Sequence, residues 1–242
     1  MEKSLYIVTG CSKGLGKALV DQLVLSGENL VVGISRSGME EKGNFLPIIL
    51  DLGNTELLIS KIDKIFSEGD FQRIVLINNA GWIGEIAPLG KLDPAGIGQI
   101  HTINLIAPSI LMNEFVHRYK DVKAEKLVIN ISSGAAQKAI DGWSGYCSSK
   151  AALNQLSLVA EEESRLHKWG IKYYALSPGI VDTGMQHDIR SSAPENFSRR
   201  DVFRSYKSEG ELSTPEEVAL QVLYLIENQV DFQEVLQDVR NF

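Results

Sequence analysis

SLYIVTGCSKGLGKALVDQLVLSG, residues 4–27, is the stretch that decides how this chain folds. It opens on a short apolar run, 4–9, closed by Gly10, which predicts a buried strand. KALVDQLVLSG, 17–27, carries apolar residues at helical spacing and stops at Gly27, which predicts a helix. Between them lies TGCSKGLG, 9–16, a glycine-rich turn from a strand's end into a helix's beginning. Glycines let the backbone approach a pyrophosphate, and the first turn of a helix offers free N–H groups and the positive end of its dipole. Two familiar phosphate loops fail here. A Walker A loop needs Ser or Thr after Gly-Lys, and Ala18 follows Gly16-Lys17; the G-x-G-x-x-G fingerprint ends on Leu19 instead of glycine. What remains is T-G-x-x-x-G-x-G.

Outward from this unit the same alternation continues. NLVVGISR (29–36), PIILDL (47–52), RIVLINNAG (73–81), KLVINISSG (126–134) and IKYYALSPG (171–179) read as buried strands, and a short strand is expected near 234–237. Helices are expected over 54–67, 94–119, 145–168 and 214–228, the last with Thr214 as cap and Pro215 at its first position. Strand and helix alternating almost from end to end predict an α/β fold, a parallel sheet with helices on both faces. No linker, repeat or low-complexity segment interrupts the pattern, so residues 1–242 are expected to form one domain. The exception is 184–213, polar and charged. It follows a strand's C-terminal end, where a lid over a ligand site would sit.

Composition narrows the partners. The chain has 242 residues, 44% of them hydrophobic, and a formal net charge of −7, which argues against general nucleic-acid binding. No apolar run reaches the roughly 18 residues needed to span a bilayer, so no membrane partner is expected. MEKSLYIVTG lacks the features of a signal peptide, and a cytoplasmic location is expected. Cys11 and Cys147 are expected to be free thiols, Cys147 packed in a helix and Cys11 in the turn and open to oxidation. His101 and His117 lie in a helical stretch without a ligand constellation, so no metal is expected.

An acidic chain that holds an anion needs a local basic pocket. In dinucleotide folds an acid about 20 residues beyond the turn binds the ribose 2′-hydroxyl, whereas an arginine there accommodates a 2′-phosphate. Arg36 lies 20 residues after Gly16, no acid occupies 34–37, and Lys13 sits inside the turn. These residues predict NADP(H) rather than NAD(H).

GWSGYCSSK, 142–150, gathers the reactive side chains. Tyr146 and Lys150, four apart, share one face of a helix. Taken alone they are a solvated pair, a packing pair, or an acid and its electrostatic activator. In the last case an ammonium about 4 Å from the phenol contributes about 4 kcal/mol at an effective dielectric of about 20. That would lower the phenol's pKa by up to about three units. Ser144 is expected to cap this helix.

The motifs together resemble those of the short-chain dehydrogenase/reductase family. They are TGCSKGLG (9–16), Asp51-Leu52, NNAG (78–81), Asn104, ISSG (131–134), Tyr146-x-x-x-Lys150, and SPG with Thr183 (177–183), in the family's order over about three quarters of the chain. The resemblance implies a Rossmann-type doubly wound sheet of seven strands in the order 3-2-1-4-5-6-7. It implies Tyr146 as catalytic acid, Lys150 as its partner and Asn104 as the holder of a proton-relay water. Ser133, thirteen positions before the tyrosine, is the carbonyl-orienting hydroxyl in preference to Ser132. Cofactor contacts are implied at Gly10, Ser12, Lys13, Gly14, Leu15, Gly16, Arg36 and Ser37, and at Asp51 and Leu52 beside the adenine. Asn78, Ala80 and Gly81 follow by the ribose, and Pro178, Gly179, Val181 and Thr183 by the nicotinamide, with Asn104, Tyr146 and Lys150 also in reach. A homodimer or homotetramer is the family's usual assembly.

WSGYCSSKAALN and SPGIVDTGMQ are similar, more narrowly, to benzil reductases and their sepiapterin reductase neighbours. That suggests a carbonyl reductase for aromatic diketones. Trp82, Ile83, Ile140, Trp143 and Met185 lie just beyond strand ends, where an aromatic ketone would bind. Pteridine carbonyl reduction, 3-oxoacyl-carrier reduction and NADP(H) sensing without turnover stay open as alternatives.

Overall fold

A computed structural model describes residues 3–242. In chain order the elements begin with β1 (Ser4–Thr9), α1 (Gly14–Leu23), β2 (Asn29–Ser35), β3 (Phe45–Ile49), α2 (Thr55–Ser60), α3 (Ile62–Ile65) and β4 (Arg73–Asn78). There follow α4 (Pro94–His101), a π-helical segment (Thr102–Ile106), α5 (Ala107–Tyr119), β5 (Glu125–Ile131) and α6 (Ser144–His167). The chain then forms β6 (Ile171–Ser177), α7 (Gly184–Arg190), α8 (Arg200–Ser208), α9 (Pro215–Glu227) and β7 (Leu236–Asp238). The strands form one parallel sheet ordered β3-β2-β1-β4-β5-β6-β7, as the family resemblance implies.

Period-two alternation along the strands sorts apolar side chains to the two faces. Tyr6, Val8, Val75, Ile77, Leu127 and Ile129 face a core shared with α1 and α9. Leu5, Ile7, Ile74, Leu76 and Val128 face the other, shared with α2, α3, α5 and α6. Strand order reverses between β1 and β4. In such sheets ligands bind at that point, outside the strands' C-terminal ends.

Several boundaries differ from expectation. The third strand runs over 45–49 rather than 47–52, because its partner β2 ends at Ser35; the ladder closes with Ser35 opposite Ile49 and a last bond from Leu50 N to Ser35 O. The helix expected over 54–67 breaks at Lys61 (φ −109°, ψ 4°), which leaves Ile59 on the surface. The 94–119 helix is continuous but carries the π segment. The 184–213 insertion contains two helices, α7 and α8. Thr214 does cap α9, in a capping box with Glu217: its hydroxyl accepts from Glu217 N (3.2 Å), and Glu217 Oε2 accepts from Thr214 N (2.8 Å). Ser144 does not cap α6; it is the first helical residue, and Trp143 holds the cap position without a side-chain bond. Among the described residues no helix is long and apolar enough to cross a membrane, and no group of His, Cys, Asp or Glu could hold a metal ion.

Candidate active site

The glycine turn is held shut against the end of β4. Gly10 has φ +70°, and a Cβ there would stand 2.9 Å from Ala80 Cα. A Cβ on Gly16 would stand 2.3 Å from Gly10 O. Only glycine fits either position. Asn79 locks the two segments: its Nδ2 donates to Thr9 O (2.9 Å) and Gly10 O (3.3 Å), while Asn79 N and Ala80 N both donate to Thr9 Oγ1 (2.9 Å each). Sequence reasoning missed Asn79 and Thr9 as the clasp. The doubled Asn at a strand's end was its only signal.

The first turn of α1 therefore points its N–H groups outward. Lys13, at the cap position, makes no side-chain cap bond, and the first turn holds no acid. Lys13 and Arg36 are exposed and have no ion-pair partner among the described residues. Thr183 approaches from the loop after β6, its Cγ2 lying 3.1 Å from where a Cβ on Gly14 would stand. Gly179 in that loop has φ +71°. Glycines, an uncapped helix end and exposed Lys13 suit the phosphates of a dinucleotide.

Other expected contacts separate. Ser12, Ser37, Pro178 and Val181 lie at the same rim, half-buried or exposed, and Leu15 is buried in the core beneath the turn. Asp51 is exposed and accepts from Gly53 N at 2.9 Å, whereas the Leu52 side chain is packed into the core. Asn78 turns away from the turn; its amide donates to Asn130 Oδ1 (2.8 Å) inside the sheet layer. Cys11 is not open to oxidation: its sulfur is buried, 2.8 Å from where a Gly33 Cβ would stand.

The chemistry gathers beside Gly81. A Cβ on Gly81 would stand 3.6 Å from Lys150 Nζ and 3.7 Å from Asn104 Oδ1. Asn104 lies in the π segment, a common device for re-aiming one functional residue. Its Oδ1 accepts from Trp82 N (2.9 Å), and its Nδ2 donates to Trp82 O (2.9 Å) and Ser149 Oγ (3.1 Å). Ser149 is thereby a brace for Asn104. Ser133, just past β5, accepts from Ala135 N (3.1 Å), and its hydroxyl acts to lower the Tyr146 phenol's pKa.

One expectation is corrected. Burial, rather than Lys150, decides the direction of the phenol's pKa. Burial pushes Tyr146 above its ordinary value, and only the Ser133 hydroxyl opposes this. Lys150 Nζ lies 5.9 Å from the ring centroid because it donates to Ile131 O at 2.7 Å. Burial lowers Lys150 itself to about 8. At neutral pH the phenol keeps its proton and the ammonium its charge.

Trp82, Ile83, Ile140, Trp143 and Met185 all join one apolar cluster with Tyr146. Phe197 and Phe203, from the 184–213 segment, complete it. Trp143 stacks on Phe197 (5.2 Å, 14°) and meets the Tyr146 ring edge-on (5.6 Å, 79°). The Asp141 carboxylate fastens that segment by accepting from Ser198 N (2.7 Å) and Oγ (2.8 Å). These bonds hold Asp141 below its ordinary pKa. Tyr146 is thus packed within an aromatic cluster built partly from the 184–213 segment.

Comparison with known proteins points the same way. A family profile described as "short chain dehydrogenase" matches residues 4–194. The chain is 37% identical over 235 residues to a Bacillus cereus protein named benzil reductase ((S)-benzoin forming), covering 92% of this chain and 94% of that one. It is 32% identical to the sepiapterin reductase of Meriones unguiculatus, over 86% of each chain. The solved structure of a short-chain dehydrogenase/reductase from Saccharomyces cerevisiae superposes with a TM-score of 0.80, over 98% of this chain and 96% of that one, at 25% identity.

Proposed function

Since this chain belongs to the short-chain dehydrogenase family and is an oxidoreductase of the kind that uses a nicotinamide cofactor, we propose that it is an NADPH-dependent carbonyl reductase for aromatic or α-dicarbonyl ketones. The observation that carries this reading is the convergence of a protonated Tyr146, Ser133 and a charged Lys150 on an aromatic cluster beside the glycine turn.

A bound reduced nicotinamide supplies the hydride to the carbonyl carbon. Ser133 donates a hydrogen bond to the carbonyl oxygen and orients it, as an oxyanion hole does. As charge develops on that oxygen, Tyr146 transfers its phenolic proton to it. The phenolate left behind faces the Lys150 ammonium, which lies 5.9 Å from its ring centroid. Asn104, braced by Ser149, holds the group through which the proton is restored. Because Lys150 must stay charged, kcat/KM for reduction is expected to fall as pH rises through about 8. A rate unchanged through that window would separate Lys150 from the proton transfer.

Arg36 and Lys13 support NADPH over NADH. Arg36→Asp replaces attraction for a 2′-phosphate by repulsion, so the preference for NADPH over NADH should drop by about 10- to 100-fold, the range of a charge-assisted hydrogen bond. An unchanged ratio of kcat/KM for the two cofactors would overturn the assignment.

Exposed Leu158, Val159 and Leu166 on α6 support a homodimer or homotetramer, the family's habit. The substrate is tested by NADPH oxidation with benzil, sepiapterin and an acetoacetyl thioester. Fastest turnover on benzil is expected. Preference for sepiapterin would favour pteridine reduction, preference for the thioester would favour carrier chemistry, and no turnover with any would leave a cofactor-binding protein.

A further inference from the structure

The end of β5 is stitched to α6 one residue after another. Asn130 Nδ2 donates to Ser157 Oγ (2.8 Å), Lys150 Nζ donates to Ile131 O (2.7 Å), and Ser132 Oγ donates to Asn154 Oδ1 (2.5 Å). Asn130 and Ser132, two apart on an extended chain, turn their side chains to the same side. They meet Ser157 and Asn154, three apart on one face of the helix. Ser132 N also donates to Leu176 O (2.8 Å), which extends the ladder to β6 by one bond. Beyond it the chain leaves the sheet: Ser133 is extended (φ −165°, ψ 149°), and a tight helical turn begins at Gly134.

These contacts separate the two serines. Ser132 is only 4% exposed, and its one hydroxyl proton goes to Asn154, so it has none for a ligand. The Ser133 hydroxyl accepts from Ala135 N, and its proton remains available to donate. Asn154 lies on the same stripe of α6 as Tyr146 and Lys150, at steps of four residues.

We infer that Asn154 is a positioning residue: by holding the Ser132 hydroxyl it fixes the direction in which Ser133 presents its own hydroxyl to the carbonyl oxygen beside Tyr146. This rests on the reductase reading above. The bond from Ser133 to Ala135 N is local and turns with the loop that carries it. The bond from Ser132 to Asn154 spans 22 residues and ties that loop to the helix carrying Tyr146 and Lys150. Lys150 grips the same strand end but also faces the phenolate, so the Ser132–Asn154 pair is the contact that serves placement alone. Placement matters because a misplacement of about 1 Å can cost about a hundredfold in rate.

The test is a cycle of variants with benzil and NADPH, read as single-turnover rate and as NADPH affinity. Ser132→Ala removes the hydroxyl, and Asn154→Leu removes its acceptor at similar volume. Each is expected to lower the rate by about 10-fold and to leave NADPH affinity unchanged. The deciding comparison repeats both changes in Ser133→Ala. With the Ser133 hydroxyl absent nothing is left to aim, so neither change should slow that enzyme further. An equal loss in that background would mean that the pair serves the fold alone. Native rates in both single variants would mean that it does nothing for the reaction. Either result overturns the inference and leaves the reductase reading standing. Ser132→Ala slower than Ser133→Ala would also overturn it, because Ser132 would then be the carbonyl's own donor. If Ser132→Ala does not fold, as a thermal melt would reveal, Asn154→Leu, at a half-buried position, decides. Native protein without turnover on benzil, sepiapterin or the thioester would end both the reading and the inference.

Discussion

Tyr146→Phe is expected to lower ketone turnover by about a thousandfold or more, within the range that positioned general acids supply. The ring stays, so its edge-on contact with Trp143 and its place in the cluster are kept, and only the hydroxyl that delivers the proton is lost. Cofactor affinity should hardly change, because the uncapped first turn of α1, Lys13 and Arg36 are untouched. The two readouts are single-turnover reduction and titration of NADPH fluorescence. Lost turnover with retained binding fits a proton donor. Turnover near the native rate would mean that another group protonates the oxygen, and joint loss of binding would mean that the hydroxyl serves the fold.

Lys150→Met is the second large effect, and it moves activity and stability in opposite directions. Losing the charge that faces the Tyr146 phenolate is expected to lower the rate by about a hundredfold, the low end of what removing one positioned charge-stabilising group costs. In the folded protein, however, that charge is costly. Burial lowers Lys150 from the ordinary 10.5 to about 8, equivalent to about 3 kcal/mol against the folded state at neutral pH. The sign follows from proton counts. Between pH 8 and 10.5 the unfolded chain binds more protons at this residue than the folded one, so its contribution makes stability rise with pH across that window. Methionine removes this penalty and gives up the bond to Ile131 O, worth at least about 1.5 kcal/mol for a charged donor. A net gain of up to about 1.5 kcal/mol at pH 7 should raise Tm by up to about 6 °C in a domain of this size. A lower Tm would show that the ammonium stabilises the fold through Ile131.

Much of this was readable along the chain, because the periodicities are local. The strands announce themselves as apolar runs ending in glycine or small polar residues. The turn at 9–16 is marked by its glycines at 10, 14 and 16 between a strand and a helix. What was not readable depends on partners distant in sequence. β3 is cut at Ile49 by the length of β2, and the clasp of Asn79 on Thr9 joins residues 70 apart. Phe197 and Phe203 look like stray aromatics in a polar segment until the fold lays them on Trp143. Tyr146 and Lys150 share a helix face, as their spacing implies, but spacing says nothing of where a flexible ammonium points. The Ile131 carbonyl captures it, and burial then outweighs attraction at the phenol.

The most direct test of the central claim uses NADPH deuterated at its transferable hydrogen, with benzil as acceptor, in native protein and Tyr146→Phe side by side. Deuterium on the carbinol carbon of the native product, at a rate about a thousandfold above that of the variant, is the predicted result. Equal deuterium transfer by both proteins, or none by the native one, would contradict it.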